Sequence, residues 1–139
     1  MESKEHELYR AVVGSLLYLA CWSSPDIALA VSELSRFVSA PCHAHFVAAK
    51  HLLRYLNGTK GLGLVYSKPG NHGPMDMANL LWGYVDSDWA GCPDSRRSTS
   101  GYVLVLNGAA VSWKSERQSV VALSSAEAEF MLRRLWCRR

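Results

Sequence analysis

The hydrophobic period changes once along these 139 residues, and the change falls at a stretch built to interrupt regular structure. Up to Leu56, apolar residues recur at helical spacing; from Leu80 onward they come in short, strand-length runs. Between the two lie Pro69, Gly70, Asn71, Gly73 and Pro74, which support neither helix nor strand. One uniform architecture is therefore excluded. The reading is an α+β chain: a small helical bundle over 1–66, a linker over 67–79 and a strand-rich domain over 80–139.

Three helices are predicted in the first part. Leu8, Val12, Ser15, Leu16 and Leu19 mark the inward stripe of the first. Ser24-Pro25-Asp26 reads as the start of the second, with Ser24 as N-cap and Pro25 at the first helical position. Its stripe is Ile27, Val31, Leu34, Phe37 and Val38, and Pro41 closes it. The third runs from about His43 to Leu56, with Phe46, Ala49, Leu52, Leu53 and Leu56 inward and Asn57-Gly58 as its C-cap. Leu62 to Tyr66 reads as a strand.

In the second part, Leu80 to Val85 is a strand that ends in Asp86. A loop over Asp88–Arg97 leads to a strand from Ser100 to Leu106. Asn107-Gly108 is a two-residue hairpin signal, and Ala109 to Trp113 returns beside it. Ser124 then opens a helix.

This order can bring Asp86 and Glu129 to one end of a sheet, where two carboxylates can hold a divalent metal. Glu127 has a structural job already. Ser124-Ser125-Ala126-Glu127 fits the capping box, in which Ser124 accepts from the amide of Glu127 and Glu127 reaches back to that of Ser124. Glu129 lies about 200° further round the helix, so it is the better metal ligand of the two. Asp88 stands equally open as a further ligand or as a residue that shapes the loop, and Asp94 reads as a turn residue. Magnesium or manganese suits such oxygen donors, but two carboxylates alone bind it weakly.

Composition narrows the alternatives. The chain is 49% hydrophobic and 19% charged, which excludes a disordered segment. Its net charge of +3 permits nucleic-acid binding without requiring it. Arg96, Arg97, Lys114 and Arg117 are the candidates for phosphate contacts. Cys21, Cys42, Cys92 and Cys137 stand far apart, so neither a zinc site nor a disulfide framework is expected. His43, His45 and His51 read as capping or solvent-facing residues. Trp89 and Trp113 read as packing residues. No apolar run is long enough to span a membrane, and the polar start resembles neither a signal nor a transit peptide.

Several blocks carry a resemblance in collinear order. They are Tyr9 to Ala20, Pro25-Asp26-Ile27-Ala28, Leu34-Ser35-Arg36-Phe37, Ala48 to Thr59, Gly83-Tyr84-Val85-Asp86-Ser87-Asp88-Trp89-Ala90-Gly91, Arg96 to Tyr102, Ser112-Trp113-Lys114-Ser115 and Ala122 to Phe130. Together they resemble the C-terminal part of copia-type LTR-retrotransposon reverse transcriptases. The first half is similar to the thumb or connection region, and the second to the start of the RNase H domain. The resemblance implies a truncated RNase H-like β-β-β-α unit with Asp86 and Glu129 as catalytic, magnesium-binding acids. It also implies a third and a fourth acid that this sequence does not contain.

The expected function is thus a fragment of a Pol polyprotein related to RNase H, which hydrolyses RNA in RNA–DNA hybrids, inactive on its own. The alternatives are a nucleic-acid-binding module and a domesticated protein-interaction module. Expected partners are an RNA–DNA hybrid or other nucleic acid, and a second copy joined through an exposed sheet edge, with no membrane. The expected location is intracellular, cytoplasmic or nuclear, and not secreted.

Overall fold

The computed structural model describes residues 3–66, 80–92 and 94–136. The linker expected at 67–79 lies outside the described residues, as do Cys137 and the last two arginines. The fold is α+β, with helices first and an antiparallel sheet after them. The chain divides into two compact units, Met1–Leu64 and Val65–Arg139.

The helical unit contains α1 (Ser3–Trp22), a short 3-10 turn (Pro25–Ile27), α2 (Ala28–Ser35) and α3 (His43–Thr59). Its core is apolar and continuous. Tyr9, Val13, Leu34 and Ala49 form one cluster, and Leu16, Ala20, Ile27 and Val31 form the next. Val12 and Leu52 pack against both. The inward stripe of α1 is therefore Tyr9, Val13, Leu16 and Ala20, while Leu8 and Leu19 face solvent. Apolar residues occur all round this helix, so periodicity alone leaves its rotation open by one residue. The Tyr9 hydroxyl settles it by donating to the buried carbonyl of Leu34 at 2.7 Å.

Helix ends depart from expectation in three places. Ser24 makes no side-chain cap, because its hydroxyl pairs with that of Ser23 at 3.2 Å. Phe37 and Val38 lie past the end of α2, in turns closed by Leu34 and Ser35 carbonyls. Asn57 and Gly58 do not cap α3: the helix runs through them to Thr59, whose hydroxyl bonds back to the Tyr55 carbonyl at 2.9 Å. At the other end of α3, the His45 ring Nδ1 accepts from the Cys42 amide at 3.1 Å, which makes this histidine a cap. Leu62 to Tyr66 is not a strand.

The second unit is built from β1 (Trp82–Ser87), β2 (Thr99–Leu106), β3 (Ala109–Arg117) and α4 (Ser125–Trp136). The strands pair antiparallel in the order β1-β2-β3. Asn107 (φ 52°) and Gly108 (φ 85°) form the hairpin turn between β2 and β3, both in the left-handed region that a two-residue hairpin requires. β1 extends through Asp86 to Ser87, and β3 extends four residues past Trp113 to Arg117. The Tyr66 hydroxyl donates to the Ala110 carbonyl at 2.7 Å and ties the start of this unit to β3.

Candidate functional site

Asp86 is solvent-exposed near the end of β1, opposite Gly101 on β2, which in turn lies opposite Ser115 on β3. Ser87, the next residue, lies opposite Ser100. The pleat sends successive side chains to opposite faces. Ser87 turns toward α4 and Asp86 turns away from it.

Glu129 is exposed in the second turn of α4, beside the fully buried Ala128. The start of that helix is fixed by side chains. The Ser124 hydroxyl accepts from the Glu127 amide at 3.2 Å, and the Glu127 carboxylate accepts from the Leu123 amide at 2.7 Å. Glu127 thus reaches one residue further back than the capping box predicts, because its side chain is long enough to pass the cap.

One residue that sequence reasoning missed joins these two elements. Gln118 follows β3 and is almost completely buried, with 5% of its surface exposed. Its side-chain amide nitrogen lies 3.1 Å from the Ser87 hydroxyl, 2.9 Å from the Ser100 hydroxyl and 2.9 Å from the Ala128 carbonyl. Its backbone amide donates to the Ser98 carbonyl at 2.8 Å. The residue after Asp86 and the residue before Glu129 are therefore held by one amide. Nothing in the hydrophobic period marks Gln118. The only signal is a polar residue set between a strand and a capping box.

Asp88 shapes the loop. Its carboxylate accepts from the Thr99 amide, and its own amide donates to the Thr99 carbonyl at 3.1 Å. Gly91 sits directly against that carboxylate, where an added β-carbon would collide with it. The loop is closed further by the Ala90 amide on the buried Ser98 hydroxyl, at 3.1 Å, and by paired backbone bonds of Cys92 with Arg96 and Arg97. The Trp89 indole donates to the Ala122 carbonyl at 3.1 Å and ties the loop to the segment before α4.

The four basic candidates separate into two pairs. Lys114 forms an ion pair with Glu116. Arg117 donates to the Ser95 hydroxyl at 3.5 Å and to the Cys92 sulfur at 3.8 Å. Arg96 is exposed and Arg97 half-buried at the loop's end. Arg96 takes a φ of 52°.

Among the described residues, no group of three or more His, Cys, Asp or Glu side chains is placed to hold a metal ion. Asp86 and Glu129 supply hard oxygen donors from two elements clasped at their adjoining residues. Magnesium is often held by one or two carboxylates while it keeps several waters. Asp86 turns away from the sheet face that carries α4 and Glu129, so the described geometry does not bring the two carboxylates together, and they do not amount to a two-metal centre. Among the described residues, no helix is long and apolar enough to cross a membrane.

No family model matches this chain, and no solved structure matches it. The chain is 44% identical over 88% of its length to the retrovirus-related Pol polyprotein from transposon TNT 1-94 of Nicotiana tabacum. It is likewise 44% identical over 88% to that from transposon RE1 of Arabidopsis thaliana. It spans only 9% and 8% of those two polyproteins. A second kind of relative is nearly its own size. Secreted RxLR effector protein 161 of Plasmopara viticola is 49% identical over 123 residues, covering 88% of this chain and 82% of the effector. The chain belongs to that effector's family. Its homologues include Pol polyproteins of copia-type transposons, so this is a Pol-related chain. The expectation of an intracellular, non-secreted protein is overturned, because a member of the family matched over most of its length is a secreted effector.

Proposed function

We propose that the second unit is the opening β-β-β-α part of an RNase H-type domain, with Asp86 and Glu129 as its metal-binding acids. The first unit then corresponds to the thumb or connection region that precedes it. The observation that carries this reading is the Gln118 amide, which joins the neighbour of Asp86 on β1 to the neighbour of Glu129 on α4. Two secondary elements that each carry one exposed carboxylate are thereby fixed at a single point.

Magnesium bound there would activate a water and stabilise the leaving oxygen of a phosphodiester. The chain's own contribution is limited to two carboxylates. Asp86 and Glu129 alone would hold the ion weakly. Asp88 stays with the Thr99 amide rather than adding a third ligand. Arg96 and Arg97 remain as the cations for a phosphate backbone, since Lys114 and Arg117 are engaged within the protein. We therefore assign to this chain weak binding of an RNA–DNA hybrid without cleavage.

A gel with labelled RNA–DNA hybrid, magnesium or manganese, and Glu129→Gln beside the natural sequence tests this. A salt-sensitive shift without cleavage is expected, reduced by Arg96→Ala with Arg97→Ala. Cleavage abolished by Glu129→Gln would overturn it, because two carboxylates would then suffice or copies would complete each other's site.

A second reading is favoured by the match to most of the secreted effector. Under it, the Pol-related fold serves as a protein-interaction module outside any element. A defined stoichiometric complex with a protein, together with no nucleic-acid binding at low salt, would favour this reading over the first.

A further inference from the structure

We propose that β1 is a docking edge for a second copy of this chain, and that two copies pair β1 against β1, antiparallel, about Tyr84. The sheet has the order β1-β2-β3, so among the described residues each outer strand has one open side. The two sides differ. β3 carries features that keep an edge from pairing: a bulge at Val111, where Leu104 faces Ser112 and Val105 faces Ala110, and the Lys114–Glu116 ion pair. Its Ala110 carbonyl also accepts from the Tyr66 hydroxyl at 2.7 Å. β1 has none of these. Its residues Trp82 to Val85 include no charge, no proline and no bulge, and Tyr84 is 63% and Val85 43% exposed. One open edge and one guarded edge give a closed pair of copies rather than a fibre.

Backbone chemistry says what the occupant must be. The Asp88 amide donates to the Thr99 carbonyl, and antiparallel ladders alternate, so Asp86, Tyr84 and Trp82 turn their backbone groups toward β2. Those of Gly83, Val85 and Ser87 point outward. Amides and carbonyls presented at every second residue match an extended strand. A second β1 fits this row. Pairing centred on Tyr84 sets Gly83 opposite Val85 of the second copy, and Val85 opposite its Gly83, so the outward groups of each copy meet. Gly83 has no side chain and leaves room for that valine. Tyr84 meets its own counterpart across the two-fold axis. Trp82, whose ring stands edge-on to Tyr84 at 5.1 Å, meets Asp86 of the second copy. Each Asp86 thus lies beside an indole and not beside the other carboxylate.

The test follows the full chain by sedimentation velocity over a concentration series, with circular dichroism to check the fold. The natural sequence is expected to pass from monomer to dimer. Tyr84→Lys and Tyr84→Glu change an exposed side chain, and each sets like charges opposite one another at the centre of the pair. Each should raise the dimer's dissociation constant about tenfold. An equal mixture of the two should dimerise again, because opposite charges then meet. Val85→Pro removes an outward amide that β2 does not use, so it should block pairing in a chain that still folds. A natural chain that stays monomeric throughout, or dimers that survive in both the folded Tyr84→Lys and Val85→Pro variants, would overturn the docking edge. Monomeric Tyr84 variants whose mixture also stays monomeric would overturn the register about Tyr84.

Discussion

The two units are held together by different chemistry. Among the described residues of the helical unit the buried side chains are mostly large and apolar, Leu16, Ile27, Val13, Val31 and Leu34, with Ala20 and Ala49 between them and Tyr9 the single polar tip. In the strand unit they are mostly small, Ala90, Cys92, Ala109, Ala110, Ala122 and Ala128, with Leu132 the one large exception among the described residues. The buried polar residues Ser98, Ser100 and Gln118 all belong to this second unit. One unit is packed and the other is tied. Packing is tolerant of sequence and gives a scaffold. A network of directed hydrogen bonds fixes particular atoms, which is what a site needs.

The largest effect expected is in the packed unit. Ile27→Ala or Leu16→Ala removes a buried branched side chain and should cost roughly 2–5 kcal/mol, read as loss of helical circular dichroism at lower urea. No apolar truncation among the buried alanines of the strand unit can match it. A comparable loss there would break the contrast.

Tyr9→Phe should cost about 1 kcal/mol through the bond to Leu34. It also carries a pH signature. Burial, and secondarily the neighbouring Cys42, push the Tyr9 phenol above its ordinary 10.0. The folded state therefore holds this proton more tightly than the unfolded one. The stabilisation is complete below pH 10.0 and declines as pH rises through the higher folded-state value. Thermal unfolding from pH 8 upward should show a decline that is shallower in Tyr9→Phe.

In the tied unit, Ser124→Ala should cost about 1 kcal/mol by removing the cap from the Glu127 amide. Gly91→Ala should displace the Asp88 carboxylate from the Thr99 amide, with a similar loss of about 1 kcal/mol. Combined with Asp88→Ala, it should add little further, since both act through one bond. Full additivity in a thermal-unfolding cycle would contradict that link. The smallest effect is at the surface. Lys114→Ala breaks an exposed pair with Glu116 and should change stability by under about 1 kcal/mol.

The same difference decides what could be read from the sequence. Helical periodicity located all three helices of the packed unit, but not which residue of α1 faces in, because Leu8, Leu17, Tyr18 and Leu19 are apolar and still exposed. The hairpin at Asn107-Gly108 was legible because its residues meet a backbone demand. So was the cap at Ser124. The loop's use of Asp88 was left open, since an acid after a strand serves a turn or a metal equally well in sequence. Gln118 was not legible at all. Its partners come from β1, β2 and α4, and no local pattern records a contact that spans 31 positions in one direction and 10 in the other.

The most direct measurement is a map of manganese-induced line broadening across the amide resonances of the whole chain. The account predicts broadening centred on residues flanking Asp86 and Glu129 together, at the junction of β1 and α4. Broadening centred on Asp94 or Glu116, or confined to one of the two acids, would contradict it.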